Sequence, residues 1–312
     1  MGLPDTGHGH DHGHAADRVE DRSRLRMVLL VTATVAVVEI VGAALSGSLA
    51  LLADAGHMVT DASSIVLALS ASLMATLPAS PRRTFGYHRA EILAALVNAL
   101  VLLGICGYIT YVGIRHLVTP EHVHASQMVV FAAIGLVANL GSMGLLAARR
   151  EKSLNMRAAF LEVASDALGS AAALAAALVI LGTGWLRADP VASLLIAVLI
   201  LPRSAQLLRD TLAVLLEGAP PGLDVEDVRA HLARVEGVVD VHDLHAWLIT
   251  SGMPALSAHV TVSDAALAER GVGGVLDELC RCTTAEFGID HATFQIEPQT
   301  HRAHEDLGEP HS

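Results

Sequence analysis

The chain has 312 residues, of which 53% are hydrophobic, 17% charged and 3% aromatic, and its formal net charge is -12. So many apolar and so few charged residues exclude a pair of ordinary soluble domains and describe a membrane protein. The acids gather toward the C-terminal part and the termini while the bases sit at the edges of apolar runs, so the charge balance gives no nucleic-acid surface.

In chain order, the opening "GHGHDHGH" interleaves His8, His10, His12 and His14 with glycine. Residues 1–22 cannot bury apolar area and are expected to be disordered; the histidines either capture cations loosely or form a neutral spacer. Six runs then meet the length of roughly 20 apolar residues that a membrane helix needs, near 25–46, 49–77, 90–117, 126–148, 157–182 and 188–208. The first is too long for the apolar core of a signal peptide and lacks a small-residue cleavage site, so it reads as a true span. Arginines and lysines fall before the first run, between the second and third, between the fourth and fifth, and after the sixth, whereas the alternate loops offer only Arg115 and Arg187. The positive-inside rule therefore puts both termini in the cytoplasm, and the membrane is expected to be the plasma (inner) membrane. Cys106 lies in a span and Cys280 and Cys282 on the inside, which argues against a disulfide framework.

Residues 23–210 thus form a six-helix transmembrane domain, and 211–299 a cytoplasmic domain, followed by a disordered tail over 300–312. "PPGLDVEDVRAHLARVEGV" breaks at Pro-Pro-Gly and continues as an amphipathic helix. "VDVHDLHAWLIT" and "PALSAHVTV" alternate like strands, with a turn at 251–254 between them; a helix near 265–286 and a strand "HATFQIEP" follow. That αββαβ order is a small ferredoxin-like α+β domain.

Two spans carry ionisable pairs, which are costly in hydrocarbon. His57 and Asp61 in the second, and Glu162 and Asp166 in the fifth, are each four residues apart, so each pair lies on one helix face. If the two helices touch, four ligands converge, the number a tetrahedral zinc-type site uses. The small residues Ala55, Gly56, Ala158, Ala159, Ala164, Ala167, Gly169 and Ser170 permit that approach. A divalent cation would compensate the carboxylates, and protons would take its place on departure, which is the basis of an exchanger. The imidazole, unperturbed near about 6.5, adds a group that titrates in the working range.

"SGSLALLADAGHMVTD", "FGYHRAEILAALVNAL", "DALGS" and "DPVASLLIA", with six spans and an αββαβ tail, resemble the zinc-transporting branch of the cation diffusion facilitator family. The resemblance covers nearly everything after residue 20. It implies a homodimeric antiporter that exports Zn²⁺ or related divalent ions from the cytoplasm in exchange for protons, with the ion between the second and fifth helices. His57, Asp61 and Asp166 match the family's transport-site pattern; Glu162 stands where zinc-type members usually have His. An oxygen ligand is harder than imidazole, so selectivity against manganese or iron is expected to be looser, while zinc, which accepts Asp and Glu oxygens, remains first choice. The alternative is a cation exporter of broader or different selectivity, for Cd²⁺, Co²⁺, Mn²⁺ or Fe²⁺.

The resemblance also places a cytoplasmic metal site, with Zn²⁺ as a regulatory ligand, at His242, His259 and Glu297, although Gln295 stands where some members have His. It places an interfacial loop site at His88, the one good ligand in its loop. Glu39, Asp54, Asn98 and Asn139 are further polar residues inside spans: the two Asn read as bonds between helices, Asp54 as either an exit-route residue or a helix-end cap, and Asp189 as the cap of the sixth span. Two rivals are an intramembrane metalloenzyme and a membrane metal sensor. No H-E-x-x-H stands in any span and all four polar groups serve as ligands, which disfavours the enzyme.

Overall fold

The computed structural model describes residues 11–148, 151 and 154–300. The chain forms two compact units, one holding residues up to Val66 and Val97–Gln206, the other Leu67–Leu96 and residues from Leu207 on.

Six long helices arise from the six apolar runs: α1 (Asp11–Ser46), α2 (Leu49–Ala75), α3 (Ala90–Val118), α4 (Ala125–Ala147), α5 (Leu154–Thr183) and α6 (Ala188–Leu215). Among the described residues, five carry segments long and apolar enough to cross a membrane: Arg24–Ser46, Ala90–Val118, Ala125–Ala147, Met156–Thr183 and Ala188–Leu215. The 27-residue α2 is the sixth by length; Asp54, His57 and Asp61 interrupt its apolar run. Within the first unit α4 packs against both α1 and α5. Its core is made of small and aliphatic side chains, among them Ala50, Leu51, Met128, Ala132, Ala173 and Ala177. The outside is aliphatic: Leu30 is 69% exposed and Val137 70%, the surface a helix bundle presents to lipid rather than to water.

Two boundaries differ from expectation. Helix α1 is described from Asp11 on, so residues 11–22 are helical where a disordered segment is expected. The sequence of that segment, with adjacent alanines and with Arg and Glu, contains good helix formers. Residues 1–10, with His8 and His10, and the tail beyond Thr300 lie outside the described residues. Helix α6 runs through Pro202 to Leu215 rather than stopping near 208–210, so Arg209, expected at the end of the span, stands within the helix.

In the second unit, α7 (Val225–Leu232), β1 (Val238–Thr250), β2 (Met253–Val262), α8 (Asp264–Phe287) and β3 (His291–Pro298) give the expected αββαβ order. The sheet order is β1-β2-β3, with β1 antiparallel and β3 parallel to β2. The turn after β1 is shorter than 251–254: Gly252, at φ +73°, reverses the chain in two residues because a left-handed backbone is open to glycine. Asp224 caps α7 by accepting from the Glu226 amide, and Ser263 caps α8 by accepting from the Ala266 amide. Val228, Leu232, Leu244, Leu256, Val260, Val275 and Leu279 form the core between helices and sheet.

Candidate metal centre

Helix periodicity puts His57 and Asp61 on one face of α2, with His57 Nε2 3.4 Å from Asp61 Oδ2. From α5, Asp166 Oδ1 lies 4.0 Å from the same His57 nitrogen. His57, Asp61 and Asp166 each offer one ligand atom, and the three atoms lie within 4.8 Å of one another. His57 Nδ1, Asp61 Oδ2 and Asp166 Oδ1 are buried with no hydrogen-bond partner among the described residues. Orphaned acceptors at this depth are costly unless a cation or a proton completes them.

Glu162 departs from the four-ligand expectation. It lines the same cavity of about 300 Å³ as Asp61 and Asp166 and acts electrostatically on His57 and Asp61, yet it stands outside the three-ligand group. Its Oε2 lies 3.8 Å from the guanidinium of Arg203, and its side chain is 35% exposed. α6 runs unbroken through Pro202 and carries this cation to the exposed end of the site. Arg203 lies inside the expected sixth span, but spacing along one helix gave no sign that it would face Glu162 of α5.

The two helices meet closely because residues opposite the polar groups are small. Asp54 of α2 presses against the backbone of α5 at Gly169, where a Cβ would collide with its Oδ1. Among the described residues, Asp54 caps no helix. It is 1% exposed and accepts a hydrogen bond from the Ser170 hydroxyl. Asn98 lies 3.5 Å from the Ser63 hydroxyl and Asn139 donates to Ser170, both between helices. Asp189, expected to cap α6, instead caps α2, accepting from Ser48 and from the amides of Leu49 and Ala50.

A second group forms in the cytoplasmic unit. His242 and His259 face each other across β1 and β2, and Glu297 enters from β3, giving three ligand atoms within 4.8 Å. Glu297 Oε1 is 3.0 Å from His259 Nδ1, and its Oε2 3.5 Å from His242 Nε2. Gln295 donates to Glu297 Oε1 at 2.8 Å, so it orients the carboxylate. Two acids that the sequence pattern did not single out stand by: Asp240 at 3.3 Å from His242 and Asp243 at 3.8 Å from His259. Asp243 is the extra residue of a β-bulge between His242 and His245 and takes φ +47°, a placement that strand alternation does not foresee. Among the described residues His88 joins neither group; it lines a depression with Phe85, Met253 and His291.

Residues 25–216 match the cation efflux transmembrane domain and residues 220–299 the cytoplasmic domain of cation efflux proteins. The chain belongs to the cation efflux family. As a cation efflux protein it is a multi-pass membrane transporter and not an enzyme. It is 41% identical over 93% of its length to the metal cation efflux system protein CzcD of Cupriavidus metallidurans, covering 90% of that protein. It is 39% identical to the cadmium, cobalt and zinc/H(+)-K(+) antiporter of Bacillus subtilis, over 85% of each chain. It is 40% identical to the zinc transporter ZitB of Escherichia coli, over 90% of this chain and 89% of that one. The structure of the metal-bound C-terminal domain of the CzcD transporter is 36% identical over 24% of this chain and 99% of its own, with a TM-score of 0.22.

Proposed function

We propose that this cation efflux protein exports a divalent cation, Zn²⁺ foremost, from the cytoplasm in exchange for protons, and that His57, Asp61 and Asp166 hold the ion in transit with Glu162 at the mouth. The observation that carries this reading is the convergence of His57, Asp61 and Asp166 from two helices, with ligand atoms within 4.8 Å of one another and Asp61 Oδ2 and Asp166 Oδ1 buried without a hydrogen-bond partner among the described residues. One imidazole nitrogen and carboxylate oxygens are a donor set that Zn²⁺ accepts. A dry cluster of carboxylates needs compensating charge, which a divalent ion or protons can provide, so the two compete for one place. The names of the Bacillus subtilis and Escherichia coli relatives support zinc among the cargoes and protons as counter-ion. The name of the Bacillus subtilis relative supports Cd²⁺ and Co²⁺ as further cargoes, and the harder Glu162 makes this chain discriminate less sharply against Mn²⁺ and Fe²⁺.

His242, His259 and Glu297 form a regulatory metal site in the cytoplasmic domain, through which a homodimer senses internal metal. A site of this kind acts by binding one arrangement of the domain better than another. His88 has no ligand role in this reading. Both termini face the cytoplasm and the protein sits in the plasma membrane, as the arginine distribution supports.

The test is transport by the purified protein in vesicles, comparing Zn²⁺, Cd²⁺, Co²⁺ and Mn²⁺ under an imposed pH gradient. Metal uptake that accelerates with the gradient and vanishes in Asp166→Ala is expected. Gradient-independent uptake, or a fully active Asp166→Ala, would overturn the reading. Metal resistance that survives Asp61→Ala but not truncation after Pro220 would favour the sensor.

A further inference from the structure

One turn beyond the proposed metal ligands lies a second polar cluster, on the side that the arginine pattern places outside. Asp54 precedes His57 by three residues on α2, and Ser170 follows Asp166 by four on α5. Glu39 from α1 and Asn139 from α4 complete the cluster, and all four side chains belong to residues at most 1% exposed. None of the four is a metal ligand in the reading above.

Ser170 Oγ lies 3.1 Å from Glu39 Oε1 and 3.0 Å from Asp54 Oδ2, and it accepts from Asn139 Nδ2 at 3.3 Å. A hydroxyl has one hydrogen and two lone pairs. Its hydrogen serves one carboxyl group. The other contact is a hydrogen bond only if that second carboxyl carries a proton and donates it to Oγ, whose remaining lone pair takes the Asn139 amide. The donors and acceptors therefore close with one proton on the acid pair.

The surroundings agree. The titratable groups acting on the two acids are each other and Asp166 of α5, while α4 brings only the neutral Asn139. Two carboxylates this close in a dry site, without a cation, do not both stay ionised. Gly135 and Gly169 make the room: a Cβ at either would strike Glu39 Oε1 or Asp54 Oδ1. Glu39 Oε2 and Asn139 Oδ1 are buried without hydrogen-bond partners among the described residues, so the group retains acceptors for one further proton.

We propose that Glu39 and Asp54, bridged by Ser170, form a proton-binding site separate from the metal ligands, and that this site carries a proton exchanged for the metal. The pair holds one proton at rest, loads a second from the outer side and releases it inward as metal crosses outward, returning to one. Asp166 links the two sites by charge: a divalent ion beside it cancels the negative charge it presents to the pair, so metal and the second proton oppose each other. This rests on the antiport reading above.

The experiment follows metal and internal pH together in vesicles holding wild-type protein, Glu39→Gln or Asp54→Asn. Both variants are expected to keep wild-type Zn²⁺ affinity while the protons exchanged per metal fall by about one. Infrared spectra of the same proteins in detergent supply an independent readout: the wild type shows the carbonyl stretch of a protonated carboxyl group, which either substitution removes or shifts. Should a variant not purify as folded protein, Ser170→Ala replaces it, since loss of the bridging hydroxyl shifts that band with both acids retained. A wild-type proton ratio in both variants, or an infrared band that none of the three changes, overturns the proposal. A wild-type protein that moves metal without protons defeats the antiport reading instead, and the infrared band then still decides whether the pair holds its proton.

Discussion

The carboxylate of Asp189, at the start of α6, closes the N-terminus of α2 through Ser48: Oδ1 accepts from the Ser48 hydroxyl at 2.5 Å and from the Ala50 amide at 3.1 Å, while Oδ2 accepts from the Leu49 amide at 2.8 Å. Asp189 is fully buried, so these bonds have no water to replace them. They fix the end of the helix that carries His57 and Asp61. Removing a charged cap with several partners costs about 2 kcal/mol or more. Asp189→Ala is expected to lower the apparent Tm in detergent by several degrees and to weaken Zn²⁺ binding although no ligand is touched. An unchanged Tm would show that α2 is held by other contacts.

Arg203 and Glu162 form a partly exposed ion pair near the proposed metal site. Pairs of this kind contribute up to about 1 kcal/mol, and the guanidinium also repels an arriving cation. Arg203→Gln is therefore expected to strengthen Zn²⁺ binding by roughly two- to fivefold, measured by competition with a metal-binding dye. Weaker binding would mean that Arg203 positions Glu162 as a ligand.

Replacing Glu162 by His is expected to raise the preference for Zn²⁺ over Mn²⁺ in vesicle uptake, because imidazole suits zinc and carboxylate suits manganese. The same substitution frees Arg203 from its partner. An unchanged metal ranking would place Glu162 outside the selectivity-determining contacts.

Burial pushes the Cys280 thiol up, and the nearby Asp277 adds to the effect. Less thiolate is then present at a given pH than for a free cysteine near about 8.5. In a protein with Cys106 and Cys282 replaced by Ser, alkylation of Cys280 is expected to be slow at neutral pH and to rise at higher pH than for a model thiol. The neutral thiol is favoured in the folded state, so its contribution to stability is whole below the unfolded value and is lost as pH rises through the folded one. Labelling at the model-thiol rate would contradict this.

The helices were legible because a span must be long and apolar, and the ligands because two charged residues four apart in such a span have few bland explanations. His57, Asp61 and Asp166 converge accordingly. Arg203 was not legible as a neighbour, since it lies inside the expected sixth span and spacing along one helix does not tell which other helix its side chain meets. The target of Asp189 was hidden for another reason: a cap read from sequence is assumed to serve its own helix, and a carboxylate that serves α2 from α6 leaves no local trace. Glu39 and Asp54 sit on different helices with no shared spacing, so only packing reveals that Ser170 joins them. In the cytoplasmic domain alternation gave the strands but not the bulge at Asp243, because a single inserted residue does not disturb the apolar pattern enough to be seen.

The aliphatic exterior of the helices has a final effect. With two Trp and three Tyr in the whole chain, the bundle has few of the interfacial anchors that fix a protein's depth in lipid. Its vertical position is left to arginines and to the match between helix length and acyl-chain thickness. In a thinner or thicker bilayer the helices adjust by tilting, and any tilt that α2 and α5 do not share moves His57 relative to Asp166. Lipid composition thereby becomes a control on how firmly the cargo is held.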